Sequence, residues 1–231
     1  MENSIESSIE DNVSLLEASV DINLIKFFDR SIEELISVIS KIKEKYKAEI
    51  DFRPEIGINK DLNLSQAYLD GVRCMDSRVF NSVDLYGKEN NKNLDGFNEL
   101  YQEARSRNIK TKVHIGEFSN CETIENAINL LQPDEIQHGI RAAESEQTME
   151  LVLENKIRLN VCPQSNISLG SVKSIAKHPM RKLYDHGIKL TVNTDGLLLF
   201  DTTVTDQLMD LLDHKIFNFE ELEEIRKNGF A

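Results

Sequence analysis

Four polar clusters in the second half of the sequence each follow a short apolar run. They are His114-Ile115-Gly116-Glu117, His138-Gly139, Cys162-Pro163-Gln164-Ser165-Asn166 and Asn193-Thr194-Asp195. The preceding runs are partly β-branched, which is typical of strands, so each cluster is expected where a strand ends. Imidazoles and carboxylates at successive strand ends can hold a divalent metal ion and move protons beside it. The candidate site residues are therefore His114, Glu117, His138 and Asp195.

Apolar runs alternate with segments of helical periodicity, a pattern typical of repeated βα units. The sequence predicts seven strands, near residues 14–25, 49–56, 79–85, 112–115, 135–138, 157–162 and 189–194. It predicts helices near residues 31–46, 65–74, 95–107, 122–131, 143–155 and 172–185, a helical tail over 203–228, and a solvated loop over 88–93. In barrels of βα units, active groups lie at the carboxyl ends of the strands, where the polar clusters are expected.

Length and composition narrow the class of protein. The 231 residues fit one domain, and we predict a single barrel domain over 1–231 with a polar N-terminal extension over 1–12. A net charge of -13 argues against nucleic acid or an anionic membrane surface as the main partner. No apolar stretch approaches the roughly 20 residues that a membrane span requires. The three cysteines are scattered and odd in number, so we expect no disulfide framework and a cytoplasmic location.

Taken in order, the four clusters resemble the adenosine deaminase family of the amidohydrolase superfamily. Two more stretches are similar to the family, namely Val83-Asp84-Leu85-Tyr86-Gly87-Lys88-Glu89 and the segment from Lys177-His178-Pro179-Met180 to Asp195. The resemblance covers roughly residues 13–228 and is strongest from 79 to 196. It implies an α/β fold of the TIM-type (β/α) barrel class, here incomplete, because seven strands are recognisable and a closed barrel has eight.

The resemblance implies a role for each candidate residue. His114 and Asp195 correspond to zinc ligands, and Asp195 also takes a proton from the attacking water. Glu117 corresponds to the group that protonates the purine ring, and His138 to the one that orients or polarises the water. For each of the four, a structural role such as a turn residue or helix cap is the alternative.

Residues near these candidates are assigned supporting roles. The backbone of Gly87 matches a glycine that approaches the purine. Ser165 and Asn166 are expected to shape the pocket floor. The remaining histidines are expected on helices as surface or packing residues; they are His178, His186 and His214.

Two departures from the family pattern concern substrate and metal. Gly196 is a candidate substrate-binding residue, and it stands where the family usually carries a second aspartate that hydrogen-bonds the purine. The family's first strand contributes His-x-His to the metal, whereas no histidine precedes His114 in this sequence. Zinc held by His114 and Asp195 alone would have one protein ligand fewer than a typical catalytic site. We therefore predict an N-terminally truncated relative whose zinc site is incomplete in this chain.

Two functions remain open. The first is a zinc-dependent hydrolase that deaminates a purine nucleoside or related aminopurine, with the missing strand supplied by a complementing N-terminal polypeptide or a neighbouring protomer. The second is a truncated relative without catalysis that acts as a binding or assembly module. Because an incomplete barrel exposes strand edges that can pair with another chain, a homo-oligomer is also expected.

Overall fold

The computed structural model describes residues 1–27, 30–89 and 94–230. Within these ranges the chain forms seven strands: β1 Leu15–Asp21, β2 Asp51–Asn59, β3 Ser82–Tyr86, β4 Lys110–Ile115, β5 Glu135–His138, β6 Arg158–Val161 and β7 Leu190–Val192. The prediction of seven strands is therefore confirmed. Of the loop expected over residues 88–93, positions 90–93 lie outside the described residues.

Twelve α-helices occur in the same ranges. They are α1 Glu2–Glu10, α2 Leu24–Phe27, α3 Ile32–Tyr46, α4 Leu64–Asp76, α5 Asn98–Ser106, α6 Cys121–Leu131, α7 Glu146–Glu154, α8 Pro163–Ser168, α9 Met180–Asp185, α10 Leu197–Phe200, α11 Val204–Asp213 and α12 Phe219–Asn228. Short 3₁₀ helices lie at Leu94–Phe97, Ile140–Glu144 and Ile175–Lys177. None of the helices in the described part of the chain is long and apolar enough to cross a membrane. The cytoplasmic location stays a prediction.

The chain divides into two compact units by its internal contacts. The first comprises Met1–His114 and Asn129–Pro133. Its strands pair in parallel and in sequence order. Leu15 of β1 lies opposite Asp51 of β2, and Ser82 of β3 lies between Glu55 of β2 and Lys110 of β4. Apolar side chains from both faces of this sheet are buried, which parallel sheets require.

The polar N-terminal extension forms a helix of the first unit. Ile5 of α1 is fully buried, and the Tyr46 hydroxyl donates a 2.6 Å hydrogen bond to Glu6. The acidic composition that argues against a buried strand here is compatible with a helix that buries one apolar stripe. The interpretation of residues 1–231 as a single domain stays a prediction.

The second unit comprises Ile115–Ile128 and Asp134–Ala231. Strands β5, β6 and β7 pair in parallel, with Glu135 opposite Arg158 and Leu159 opposite Leu190. Glu135 and Arg158 form a buried ion pair over 2.7 Å at the start of their strands. The opposite ends of these strands therefore carry the polar clusters.

Two predicted helices are wrong in extent. The helix expected over 172–185 is interrupted, because Pro179 favours an extended backbone at His178, where φ is -69° and ψ is 131°. The tail helix over 203–228 divides into α11 and α12, with Lys215 between them in the left-handed region at φ 56°. Both breaks reflect local backbone preferences that override the apolar periodicity.

Candidate active site

Left-handed backbone occurs at two of the predicted site residues. His138, the last residue of β5, has φ 64°, and Asp195, three residues after β7, has φ 58°. Such a conformation costs a residue other than glycine roughly 1–3 kcal/mol, and strain of this kind clusters at active sites. The same backbone occurs at Lys215 between α11 and α12, so it marks the ends of elements and does not by itself assign a function to either position.

A glycine turn leads from β4 to Glu117. Gly116 has φ 73°, and a Cβ at this position would lie 2.4 Å from Cδ1 of Ile124. Only glycine meets both requirements without displacing its neighbour. The turn places Glu117 in a buried position, although it follows its strand by only two residues.

Glu117 and His138 meet around the amide of Asn166. Nδ2 of Asn166 donates to Oε1 of Glu117 over 2.7 Å and lies 3.2 Å from Nδ1 of His138. Nε2 of His138 is 3.5 Å from Oε2 of Glu117. All three side chains are buried, and Asn166 is 0% exposed. The structure thus brings two of the predicted catalytic residues into one hydrogen-bonded cluster.

Asp195 is held next to this cluster through Ser165. The Ser165 hydroxyl donates to Oδ2 of Asp195 over 2.6 Å. Ser165 and Asn166 are consecutive in the first turn of α8, which Pro163 opens at its N-terminal end. One short helix, which the sequence did not predict, therefore contacts all three predicted catalytic residues of this unit.

The Cys162 thiol is uncharged beside these carboxylates. Burial raises its pKa well above the usual range, and the negative charges of Asp195 and Glu117 raise it further. A thiol rather than a thiolate is a poor nucleophile. Cys162 is therefore a packing residue and not a second reactive group.

His178 is part of the same hydrogen-bond network. Its Nε2 lies 3.2 Å from Oδ1 of Asn166, and the Met180 backbone N–H donates to its Nδ1 over 3.2 Å. Burial, followed by the nearby His138, lowers the pKa of His178 to about 3. The expected helical position is wrong for His178, because Pro179 ends the 3₁₀ turn before it. His186 and His214 lie directly after α9 and α11.

Gly196 precedes α10 and offers only backbone groups. A Cβ here would lie 3.1 Å from Cβ of Leu199, and its φ of -73° is accessible to any residue. The backbone at this position therefore does not require glycine. The expected substrate-binding role of Gly196 stays a prediction.

His114 belongs to the first unit and pairs with a carboxylate there. Its Nε2 lies 3.0 Å from Oδ2 of Asp84, which is fully buried. Burial opposes ionisation of Asp84, but the charges of His114 and Lys112 and the hydrogen bond from His114 together lower its pKa. The buried Asp84 carboxylate, which belongs to the same unit, therefore orients the His114 imidazole.

Lys60 connects the backbones of His114 and Gly87. Its ammonium donates to the His114 carbonyl over 2.7 Å and to the Gly87 carbonyl over 3.4 Å. Burial lowers the pKa of Lys60 to about 8. Gly87 has φ 98°, and a Cβ there would lie 2.8 Å from Oδ1 of Asn59, so the position requires glycine. Its proximity to a purine stays a prediction.

The predicted zinc ligands do not complete a metal site. His114 directs one ring nitrogen to Asp84, and one oxygen of Asp195 accepts from Ser165. A catalytic zinc typically has three protein ligands. Among residues 1–27, 30–89 and 94–230, no group of three or more His, Cys, Asp or Glu side chains could hold a metal ion. The side chains present therefore do not fit a catalytic zinc centre by themselves.

Sequence reasoning missed three partners of the predicted residues. Asp84 and Lys60 bond to His114, and His178 bonds to Asn166. The sequence does indicate a partner for Asp84, because a carboxylate inside an apolar strand requires one. A pocket shared by His114 with Glu117, His138 and Asp195 stays a prediction.

Parallel βα units with the candidate polar side chains at their strand ends define the incomplete TIM-type barrel class, and solved structures confirm this fold. An adenine deaminase from Arthrobacter aurescens matches 98% of this chain and 70% of its own, with TM-score 0.86 and 22% identity. An amidohydrolase from Burkholderia ambifaria with bound Zn matches 99% and 65%, with TM-score 0.85 and 20% identity. The Arabidopsis protein ADAL, in complex with IMP, matches 99% and 69%, with TM-score 0.87 and 18% identity.

Sequence comparison establishes the family. The adenosine deaminase family model matches residues 70–231. A putative adenosine/adenine deaminase from Treponema pallidum is 35% identical, over 90% of this chain and 70% of that protein. An adenosine deaminase from Clostridium acetobutylicum is 34% identical, over 74% of this chain and 48% of that protein. The chain belongs to the adenosine deaminase family, and it spans between about half and 70% of the length of these relatives.

Proposed function

We propose that the protein is an adenosine deaminase-like hydrolase that removes the amino group from a purine nucleoside or related aminopurine. The observation that carries this proposal is the buried cluster of Glu117, Asn166 and His138, with Asp195 bonded to the adjacent Ser165. A proton-carrying carboxyl, an imidazole and a second carboxylate are the groups that hydrolytic deamination requires.

The proposed reaction exchanges an amino group for the oxygen of water. As a C–O bond forms at the amino-bearing carbon, Glu117 protonates the adjacent ring nitrogen, which otherwise gains negative charge. Asp195 takes a proton from the attacking water, and His138 hydrogen-bonds the oxygen. The proton on Asp195 passes to the amine as the C–N bond breaks and ammonia leaves, while Glu117 regains a proton from the new hydroxyl. Protons and charge balance over the cycle.

Zinc is the cofactor that the family resemblance implies. Since His114 and Asp195 are too few to form a catalytic centre, we propose that further ligands come from outside this chain. A complementing N-terminal polypeptide and a neighbouring protomer are the two candidate sources. No step of the proposed reaction is assigned to the metal.

The proposed substrate is a small purine recognised through the Gly87 backbone and the backbone at Gly196. Gly196 provides no carboxylate to accept a hydrogen bond from the purine, which disfavours unmodified adenosine. A substrate panel should therefore contain adenosine, adenine, AMP and N6-methyl-AMP.

Ammonia release from this panel, measured with and without added Zn²⁺ and a peptide that supplies the family's first-strand His-x-His, tests the proposal. We expect deamination of at least one purine, and a loss of about 10²- to 10⁴-fold in Glu117→Gln, the range for removal of a general acid. Glu122→Gln is the control, because Glu122 is exposed on α6. Purine binding by calorimetry without ammonia release, even with both Zn²⁺ and the His-x-His peptide present, would instead support the binding module.

A further inference from the structure

The tautomer of His178 is determined by its backbone neighbour. The Met180 N–H donates to Nδ1 of His178 over 3.2 Å, and a backbone amide can only donate. Nδ1 is therefore unprotonated. The ring is buried and its pKa is lowered to about 3, so near neutral pH it carries a single proton on Nε2.

That proton determines the orientation of the Asn166 amide. Nε2 of His178 donates to the atom that faces it at 3.2 Å, which must be the carbonyl oxygen Oδ1 of Asn166. The amide nitrogen then faces Oε1 of Glu117 at 2.7 Å. The opposite orientation would place two acceptors, the amide oxygen and a carboxylate oxygen, against each other.

The amide in turn determines the tautomer of His138. Nδ2 of Asn166 lies 3.2 Å from Nδ1 of His138, so this ring nitrogen accepts and is unprotonated. The single proton of neutral His138 is then on Nε2, the nitrogen 3.5 Å from Oε2 of Glu117. His138 and its two partners are all nearly or fully buried, so water does not offer them alternative hydrogen bonds.

We propose that His178 is a positioning residue that acts through Asn166 to hold His138 as its Nε2–H tautomer. Resting on the proposed deaminase function, this assigns His138 as a hydrogen-bond donor to the reacting oxygen and leaves proton acceptance to Asp195. His178 itself touches neither substrate nor reacting atoms. Its function is to maintain the direction of a hydrogen-bond chain that ends at the candidate site.

Long-range ¹H–¹⁵N NMR of the whole chain labelled with ¹⁵N-histidine tests the assignment without substrate. The other histidine signals are assigned from variants such as His186→Gln and His214→Gln. We expect His178 and His138 both to show an unprotonated Nδ1 and a protonated Nε2 near neutral pH. An Nδ1–H tautomer for either residue overturns the proposal.

Two substitutions of His178 separate positioning from packing. His178→Gln retains an N–H donor near the position of Nε2, whereas His178→Leu removes it. We expect His178→Leu to convert His138 to a mixture of tautomers and to lower kcat about 10- to 100-fold with little change in KM, as other orienting residues do. His178→Gln is expected to restore the Nε2–H signal of His138 and most of kcat. Equal effects of both variants on the tautomer of His138 contradict the proposal.

The two proposals can fail separately. If no purine is deaminated but both histidines show the expected tautomers, and His178→Leu alone disturbs His138, the positioning role holds and the deaminase function fails. If deamination occurs but the tautomer of His138 is insensitive to His178→Leu, the positioning role fails and the deaminase function holds.

Discussion

The Ser165 hydroxyl and the Asp195 carboxylate are joined by a 2.6 Å hydrogen bond that connects the start of α8 to the end of the segment after β7. A hydrogen bond to a charged group contributes about 1.5–3 kcal/mol. Asp195 is therefore oriented by the same helix that carries Asn166, and the two acidic candidates of this unit have a common support.

Replacing Ser165 by alanine tests this orientation. Asp195 is exposed, so water can replace part of this hydrogen bond, and its loss is expected to cost about 0.5–1.5 kcal/mol, or about a 2- to 10-fold lower kcat/KM in the ammonia assay. Ser168→Ala on the same helix is the control, because Ser168 is exposed and contacts Gln164 instead. Equal activity of the two variants would show that Asp195 does not depend on Ser165.

The buried His178 makes stability depend on pH in acid. Its folded-state pKa is about 3 and its ordinary value is 6.5, so the unfolded chain takes up a proton first as the pH falls. Stability is thus full above pH 6.5 and declines toward pH 3, by about 1.4 kcal/mol for each pH unit from this residue alone. We expect the free energy of unfolding of His178→Gln, measured in urea, to change less steeply with pH than that of the wild type, by this amount, between pH 6 and pH 4.

His214→Gln is the matched control for this slope, because the His214 ring is half exposed and the substitution removes no buried imidazole. If the free energy of unfolding changes equally with pH in the wild type and in His178→Gln, His178 titrates normally in the folded protein.

Lys112 pairs with two carboxylates in the first unit, the buried Glu55 and the partly exposed Glu17. Its ammonium lies 2.6 Å from Glu17 and 2.5 Å from Glu55, and both Lys112 and Glu55 are almost fully buried. Removing one partner of a buried pair typically costs about 3–5 kcal/mol, because the other charge is left uncompensated. We expect this loss in the free energy of unfolding of Lys112→Met, measured in urea at pH 8.

Two further variants check the cause of that loss. Lys47→Met removes an exposed ammonium paired with Glu44 and is expected to change stability by less than about 0.5 kcal/mol. Adding Glu55→Gln to Lys112→Met is expected to recover part of the stability. A double variant no more stable than the single one would argue against an unpaired charge.

We expect an added methyl group to destabilise the protein more at Gly116 than at Gly170, although both glycines lie in the left-handed region. Gly116→Ala adds a clash with Cδ1 of Ile124, whereas a Cβ at Gly170, with φ 78°, has no atom within 4 Å. We expect Gly170→Ala to cost about 1 kcal/mol and Gly116→Ala about 1–3 kcal/mol more. Thermal unfolding measures both, and Ile124→Val, which removes Cδ1, should relieve part of the cost of Gly116→Ala.

The positions of the strands and of the candidate residues at their ends could be predicted because both follow from short-range patterns. Short apolar, partly β-branched runs mark β4, β6 and β7, Ile136 marks β5, and a polar residue directly after each lies toward the carboxyl end of its strand. Glu117, which follows β4, and His138, which ends β5, lie 3.5 Å apart at this end of the strands. The α8 helix was missed, because Ser165 and Asn166 have weak helical propensity and Pro163 is its only clear start signal.

The partners of the candidate residues could not be predicted from the same patterns. Asp84 and His114 are 30 residues apart, and His178 reaches Asn166 only because Pro179 interrupts a helix that the periodicity predicts. These contacts depend on how separate segments pack, for which local sequence carries no direct signal. The role of each partner is visible only once the side chains are placed.

The protonated state of Cys162 has a consequence for the sensitivity of the protein to oxidation. Peroxides and electrophiles attack thiolates, and a neutral thiol buried against Asp195 and Glu117 offers them almost none. Sulfenic acid formation would introduce a bulky polar group between β6 and α8. It is therefore suppressed first by burial of the thiol, which raises its pKa most, and further by the acidic residues that are proposed to transfer protons. Oxidative inactivation should begin elsewhere in the molecule.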